Sequence, residues 1–281
     1  MKTPKRLQPL VDEGLVDEVI RQLMSGKEAT VYLVRCGDDI RCAKVYKEAD
    51  KRSFRQAVAY QEGRNVKNSR QARAMQKGTR YGRKIQEEVW QNAEVDALYR
   101  LGAAGVRVPQ PYGCYEGVLL MELVADADGQ VAPRLNDVAF TEELALDYHQ
   151  KLIREVVLML CAGVIHGDLS EYNVLVDRIG PVIIDLPQAV DAAGNTSAAA
   201  MLERDVGNVT TFFSRFAPQL AGMRYGREIW AYYQAGLLRP DTRLTGHVED
   251  DQRPPDVAAV LREIEIARKE EELRLGYMQQ Q

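Results

Sequence analysis

The chain has 281 residues, 46% of them hydrophobic and 28% charged, with a net charge of −4. That is an ordinary composition for a globular protein, long enough to bury a large core in one two-lobed unit or two small domains. No apolar run reaches membrane-spanning length, and the opening MKTPKRLQPLVDEG lacks the apolar centre of a secretory signal. Cys36, Cys42, Cys114 and Cys161 form no C-x-x-C pair, so they read as small hydrophobes in a reducing compartment. A cytoplasmic protein with no membrane contact is expected. The net charge hides an asymmetry, because residues 47–84 carry twelve basic side chains against three acidic ones.

In chain order, residues 1–24 read as a helical extension, with Val11, Leu15, Val16, Val19 and Ile20 near helical spacing. Residues 25–124 follow as a strand-rich unit. Ser25-Gly26 can turn, Val31–Val34 is a strand, Gly37-Asp38-Asp39 is a hairpin turn, and Ile40–Tyr46 is the return strand. The small-residue loop ahead of Val31 is either a plain hairpin end or a place where backbone N–H groups meet phosphates. Of the glycines of G-x-G-x-x-G-x-V it keeps only the middle one, with Met24, Gly26, Ala29 and Val31 at the four fixed positions. Lys44 stands inside an otherwise apolar strand. It is either an edge lysine facing solvent or a buried lysine that needs an anionic partner. The basic stretch 47–84 has poor periodicity. It is a solvated loop or a nucleic-acid contact, and Phe54, Tyr60 and Tyr81 are too sparse to make a base-stacking platform. Residues 85–102 read as a helix, on which Glu94 is the best candidate to meet Lys44. Residues 106–111 form an extended connector, and 117–124, GVLLMELV, a strand that is either plain core or the lead into a hinge.

Residues 125–238 read as a mainly helical unit. A polar loop occupies 125–136, and an amphipathic helix runs over 141–163, with His149 expected to be a surface or packing histidine. The stretch His166–Pro187, HGDLSEYNVLVDRIGPVIIDLP, carries the chemistry. Leu175-Val176 and Val182–Ile184 read as two short strands joined by a turn at Arg178–Pro181, since Gly180-Pro181 is a turn signal. That hairpin brings Asn173 and Asp185 to one mouth, where both can bind a hard cation through oxygen. Asp168 lies one loop away, free to orient a hydroxyl. The order follows the phosphoryl-transfer pattern H-R-D-L-x-x-x-N with a later metal-binding Asp. Beyond it, a helix starts near Ala199 with Leu202, Val206, Val209, Phe212 and Phe213 on one face, and Arg204 and Asp205 can tie it to the catalytic loop. A further helix over 218–238 is broken by Gly222 and Gly226. Residues 239–281 form a tail ending in a charged helix, 256–275.

Three stretches together resemble the RIO family of atypical serine/threonine protein kinases. They are Ser25-Gly-Lys-Glu-Ala-Thr-Val-Tyr32, His166-Gly-Asp-Leu-Ser-Glu-Tyr-Asn173 and Ile184-Asp-Leu-Pro-Gln188, with Arg204-Asp205-Val206 and Asn208 in support. The resemblance covers roughly residues 11 to 240 and is nearest to the subfamily without a winged helix. It implies an α+β, two-lobed kinase-like fold with a small β-rich N-lobe, a mainly helical C-lobe and no conventional activation segment. It implies ATP and a divalent metal, Mg2+ or Mn2+. Asp168 would be the base, Asn173 and Asp185 the metal ligands, and Lys44 with Glu94 the phosphate anchor. Ser25, Gly26, Lys27 and Val31 would line the triphosphate, while Met121, Glu122 and Val124 would meet adenine at the hinge. The acceptor would be a protein substrate, the chain itself, or water through a phospho-aspartate at Asp185, with a ribosomal or RNA contact through 47–84. The sequence departs from ordinary kinases in Gly167, which stands where H-R-D has Arg, and in the missing A-P-E. Both speak against activation-loop control and ordinary peptide docking. The competing reading is a small-molecule phosphotransferase of the aminoglycoside or choline kinase kind.

Overall fold

The computed structural model describes residues 3–26, 28–47 and 93–248. The chain divides into a compact unit over 1–247 and a second unit over 248–281. The expected charged helix at 256–275, the basic stretch beyond Lys47 and the beginning of the helix before Glu94 lie outside the described residues.

The first lobe is built on a five-stranded antiparallel sheet. Its strands are β1 (Glu18–Ser25), β2 (Ala29–Cys36), β3 (Asp39–Tyr46), β4 (Pro111–Tyr115) and β5 (Val118–Glu122), in the spatial order β1-β2-β3-β5-β4. Side chains alternate across each strand, and β3 shows the consequence. Ala43 and Val45 join Leu7, Leu10, Val34, Val118 and Leu120 in a core on one face. Lys44 and Tyr46 therefore point to the other face, toward the described part of helix α2, residues 93–103.

The expected N-terminal helix is shorter than its apolar spacing suggests. Helix α1 is only Gln8–Asp12. It stops at Gly14, whose φ of 73° permits a Schellman closure: Leu15 N–H donates to Leu10 carbonyl at 2.9 Å and Gly14 N–H to Val11 carbonyl at 3.1 Å. Val19 and Ile20 belong instead to β1, so the sheet begins seven residues ahead of the expected boundary at 25. The connector 106–111 ends in β4, a strand that the sequence pattern does not separate from it.

In the second lobe, helix α3 (Glu142–Cys161) opens on Thr141, whose hydroxyl accepts the Leu144 N–H at 3.2 Å. Two-residue strands β6 (Val164–Ile165) and β9 (Val190–Asp191) pair with each other. Strands β7 (Val174–Val176) and β8 (Pro181–Ile183) form the expected hairpin. Helices α4 (Ala198–Ser214) and α5 (Tyr225–Gln234) complete the lobe. The helix expected over 218–238 is thus confined to ten residues. Gly226 does not break it but lies within it, where a β-carbon would come 2.9 Å from the Glu203 Cα of α4. His149 is a packing residue: it is buried on α3 and bonded to the Thr210 hydroxyl of α4 at 3.1 Å.

Candidate active site

Lys44 is only 6% exposed. Its Nζ donates to Glu94 Oε1 and to Asp185 Oδ1, each at 2.6 Å. Burial alone would lower its pKa, but the two carboxylates more than offset that and raise it, so the ammonium stays charged. The second oxygen of Glu94 accepts the hydroxyl of Tyr46, which is itself fully buried. Glu94, at 2% exposure, is therefore held from two sides by groups of the same strand.

Asp185 follows β8 with a φ of 67°, a left-handed conformation that non-glycine residues seldom adopt. Protein surrounds its carboxylate, while 46% of the side chain still meets water. Burial pushes its pKa up, but the Lys44 ammonium outweighs that and holds the carboxyl below its ordinary value. The β7–β8 hairpin sets Asn173 beside it, since the Ile184 N–H donates to the Asn173 carbonyl at 3.0 Å. Asn173 Nδ2 donates to the Asp168 carbonyl at 2.8 Å, which leaves Oδ1 as the atom it can turn to a cation.

The loop that carries Asp168 is gripped through its backbone. Gly167, at φ 82°, donates its N–H to Asp205 Oδ2 at 2.7 Å, and its carbonyl accepts from Arg204. Asn208 Nδ2 donates to the Leu169 carbonyl at 3.1 Å. Three residues of α4 thus fix the chain on both sides of Asp168. His166 binds the Ile184 carbonyl through Nε2 at 3.0 Å and the Asp168 N–H through Nδ1 at 3.2 Å. Among the described residues nothing hydrogen-bonds the Asp168 carboxylate, and burial raises its pKa against the pull of His166 and Arg204. Its oxygens are thus left to meet a group that enters from outside the protein.

At the other expected positions, Ser25 ends β1 with its hydroxyl 3.2 Å from that of Thr30. Lys47, which no motif in the sequence singles out, donates to Ser25 Oγ at 3.1 Å and to the Gly26 carbonyl. Val31 lies directly across from Lys44 in the β2–β3 ladder. Lys27 is outside the described residues. Met121 and Glu122 end β5, and Glu122 is exposed rather than lodged in apolar surroundings. Its N–H is taken by the Gln110 carbonyl at 2.8 Å, so only its carbonyl can be offered to a base. Val124 gives its carbonyl to the Ala132 N–H at 3.0 Å, while its own N–H has no partner among the described residues.

The donor set fits a hard cation bound together with phosphates. Among the described residues no cluster of three or more His, Cys, Asp or Glu could hold a metal alone. Asn173 and Asp185 would supply two oxygen donors and leave the remaining positions to phosphate and water, as magnesium sites commonly do.

The model of the RIO domain matches residues 30–225. The chain belongs to the RIO family of atypical protein kinases. The RIO-type serine/threonine-protein kinase Rio1 of Haloferax volcanii is 35% identical over 212 residues, 73% of this chain and 67% of the relative. The rio1 kinase of Schizosaccharomyces pombe is 30% identical over 76% of this chain and 42% of its own. The human RIO1 kinase is 27% identical over 79% and 38%. The alignments thus span two thirds of the archaeal relative and under half of the two eukaryotic ones. A solved kinase domain shares 15% identity at a TM-score of 0.44, over 72% of this chain and 65% of that one. Kinases of the RIO family work with ATP and a divalent metal.

Proposed function

We propose that this protein transfers the γ-phosphoryl group of ATP to a serine or threonine hydroxyl, on itself or on another protein, and to water when no acceptor is bound. The observation that carries this reading is Lys44, buried and bridging Glu94 and Asp185 at 2.6 Å each. A buried ammonium that joins a carboxylate of each lobe suits a polyphosphate anchor.

In this reading Asn173 and Asp185 hold Mg2+ or Mn2+, which neutralises charge on the phosphates when bound. Lys44, kept in place by Glu94 and Tyr46, meets the α- and β-phosphates. Ser25, Gly26, Lys27 and Val31 form the roof over the phosphates. Beyond Met121, the Glu122 carbonyl and the Val124 N–H read adenine. Asp168 orients the acceptor hydroxyl and takes its proton as the new P–O bond forms and the bond to the ADP oxygen breaks. Transfer to Asp185 itself gives a phospho-aspartate whose hydrolysis makes the protein an ATPase. The charge of residues 47–84 supports a ribosomal or other RNA contact, and deleting that stretch should then lower salt-sensitive RNA retention.

The deciding experiment follows γ-labelled ATP with magnesium, using the wild type and Asp168→Ala. The expected result is label on protein hydroxyls or released as phosphate by the wild type, and loss of turnover with nucleotide affinity kept in the variant. Wild-type turnover by Asp168→Ala overturns the role of Asp168. Efficient transfer to an amino sugar or amino alcohol overturns the choice of acceptor.

A further inference from the structure

Arg134 is a charged residue of the cleft that none of the roles above employs. It precedes the 3-10 turn Leu135–Asp137, and its backbone forms a bridge with Leu175 of β7. Next to it, the Pro133 carbonyl accepts the Val176 N–H at 2.9 Å. Its base is thus fixed on the strand that begins immediately after Asn173. Its guanidinium nevertheless reaches the opposite lobe, where Nη2 lies against the Met24 sulfur, one residue before Ser25, at which β1 ends.

That contact makes poor use of the side chain. A guanidinium has five N–H donors in a fork that fits phosphate oxygens, whereas a thioether is a weak acceptor. Among the described residues no carboxylate pairs with Arg134. Met24 is 42% exposed, so the contact lies at an open lip from which the guanidinium can be drawn away. The charge also reaches Asp185, where it helps to keep the carboxyl ionised. Arg134 therefore has its base beside the metal-binding hairpin and its tip on the lip of the phosphate loop.

We infer that Arg134 binds the polyphosphate of the nucleotide from the C-lobe side, exchanging the Met24 sulfur for phosphate oxygens as the nucleotide enters. The inference rests on the ATP reading above and adds a second cation, opposite Lys44, from a stretch that reads only as a polar loop. A contact to the base or ribose would not depend on phosphate charge, and this separates the alternatives.

The test measures dissociation constants of ATP, ADP and adenosine for the full chain with magnesium, in the wild type, Arg134→Leu and Arg134→Lys. Losing one charge-assisted pair should weaken ATP about tenfold or more in Arg134→Leu. Adenosine affinity should stay within about twofold, a result that also reports an intact cleft, and Arg134→Lys should recover part of the loss. Unchanged ATP affinity in Arg134→Leu, beside a wild type that binds ATP, overturns the inference and leaves the ATP reading standing. An equal loss for adenosine overturns it in favour of a base or ribose contact. A wild type that binds no ATP sinks the ATP reading and the inference with it.

Discussion

A lysine inside a strand has two futures, and β3 chooses between them by parity. Ala43 and Val45 go to the core under α1, so Lys44 and Tyr46 must share the opposite face, over Glu94. Removing Lys44 leaves Glu94 buried with only the Tyr46 hydroxyl. Lys44→Met should cost about 3 kcal/mol in chemical denaturation and lower labelled-phosphate turnover about a hundredfold or more. Tyr46→Phe keeps the ion pair and strips one hydrogen bond from a buried carboxylate, a cost of about 1–3 kcal/mol. Its turnover should fall less than that of Lys44→Met, because Lys44, the proposed phosphate anchor, survives. Equal activity losses in the two variants would mean that Tyr46 meets substrate itself. The Tyr46 contact is illegible in the sequence, since nothing local marks a strand tyrosine as the partner of a glutamate 48 positions on. Lys44, Asp168, Asn173 and Asp185 stand out because an ionisable or amide group amid apolar residues, at fixed spacing, leaves a local trace.

Among the elements, legibility follows length and periodicity. Helices α3 and α4 each present several turns of one apolar face, and the β7–β8 hairpin is marked by Gly180-Pro181, so all three can be read from the residues alone. Strand β1 is hidden because Val11, Leu15, Val16, Val19 and Ile20 also fit a helix; the Gly14 Schellman closure is what ends one element and admits the other. Strands β4 and β9 carry almost no periodic signal, being five and two residues long, and exist through their partners. Gly226 misleads for a related reason: a glycine in a helical pattern suggests a break, but here α5 needs it to approach α4. The clash is with backbone at 2.9 Å, so the neighbour cannot swing aside. Gly226→Val should therefore destabilise by about 1–3 kcal/mol, read as a lower denaturation midpoint with an unchanged slope. A neutral or stabilising outcome would show that the two helices can separate at little cost.

Across the compact unit, the lobes are tied at several points. Arg107, shortly before β4, donates to the Pro181 carbonyl and to Asp177 of the β7–β8 hairpin, and its N–H meets Glu155 of α3 at 2.8 Å. Lys44–Asp185 and Arg134–Met24 also cross between the lobes, and the nucleotide and metal of the proposed reading would rearrange both. The C-lobe helices meet at His149, whose ring joins α3 to Thr210 and Phe213 of α4 and to Tyr225 of α5. No carboxylate is among those contacts, and burial lowers its pKa to about 4 from an ordinary 6.5. Between those values the unfolded chain binds a proton that the folded one refuses, so stability rises with pH across the window. The contribution is whole above about pH 6.5 and is lost as pH falls toward 4, by about 3 kcal/mol in all. Asp168, Glu155 and Asp205, with raised values, act in the opposite sense, so the wild-type curve alone does not isolate the histidine. The difference between the wild type and His149→Gln does, because glutamine can still bond Thr210 but does not titrate. That difference in unfolding free energy should be flat above about pH 7 and should shift by most of the roughly 3 kcal/mol against the wild type by about pH 4. Parallel curves over that range would place the acid sensitivity of the C-lobe elsewhere.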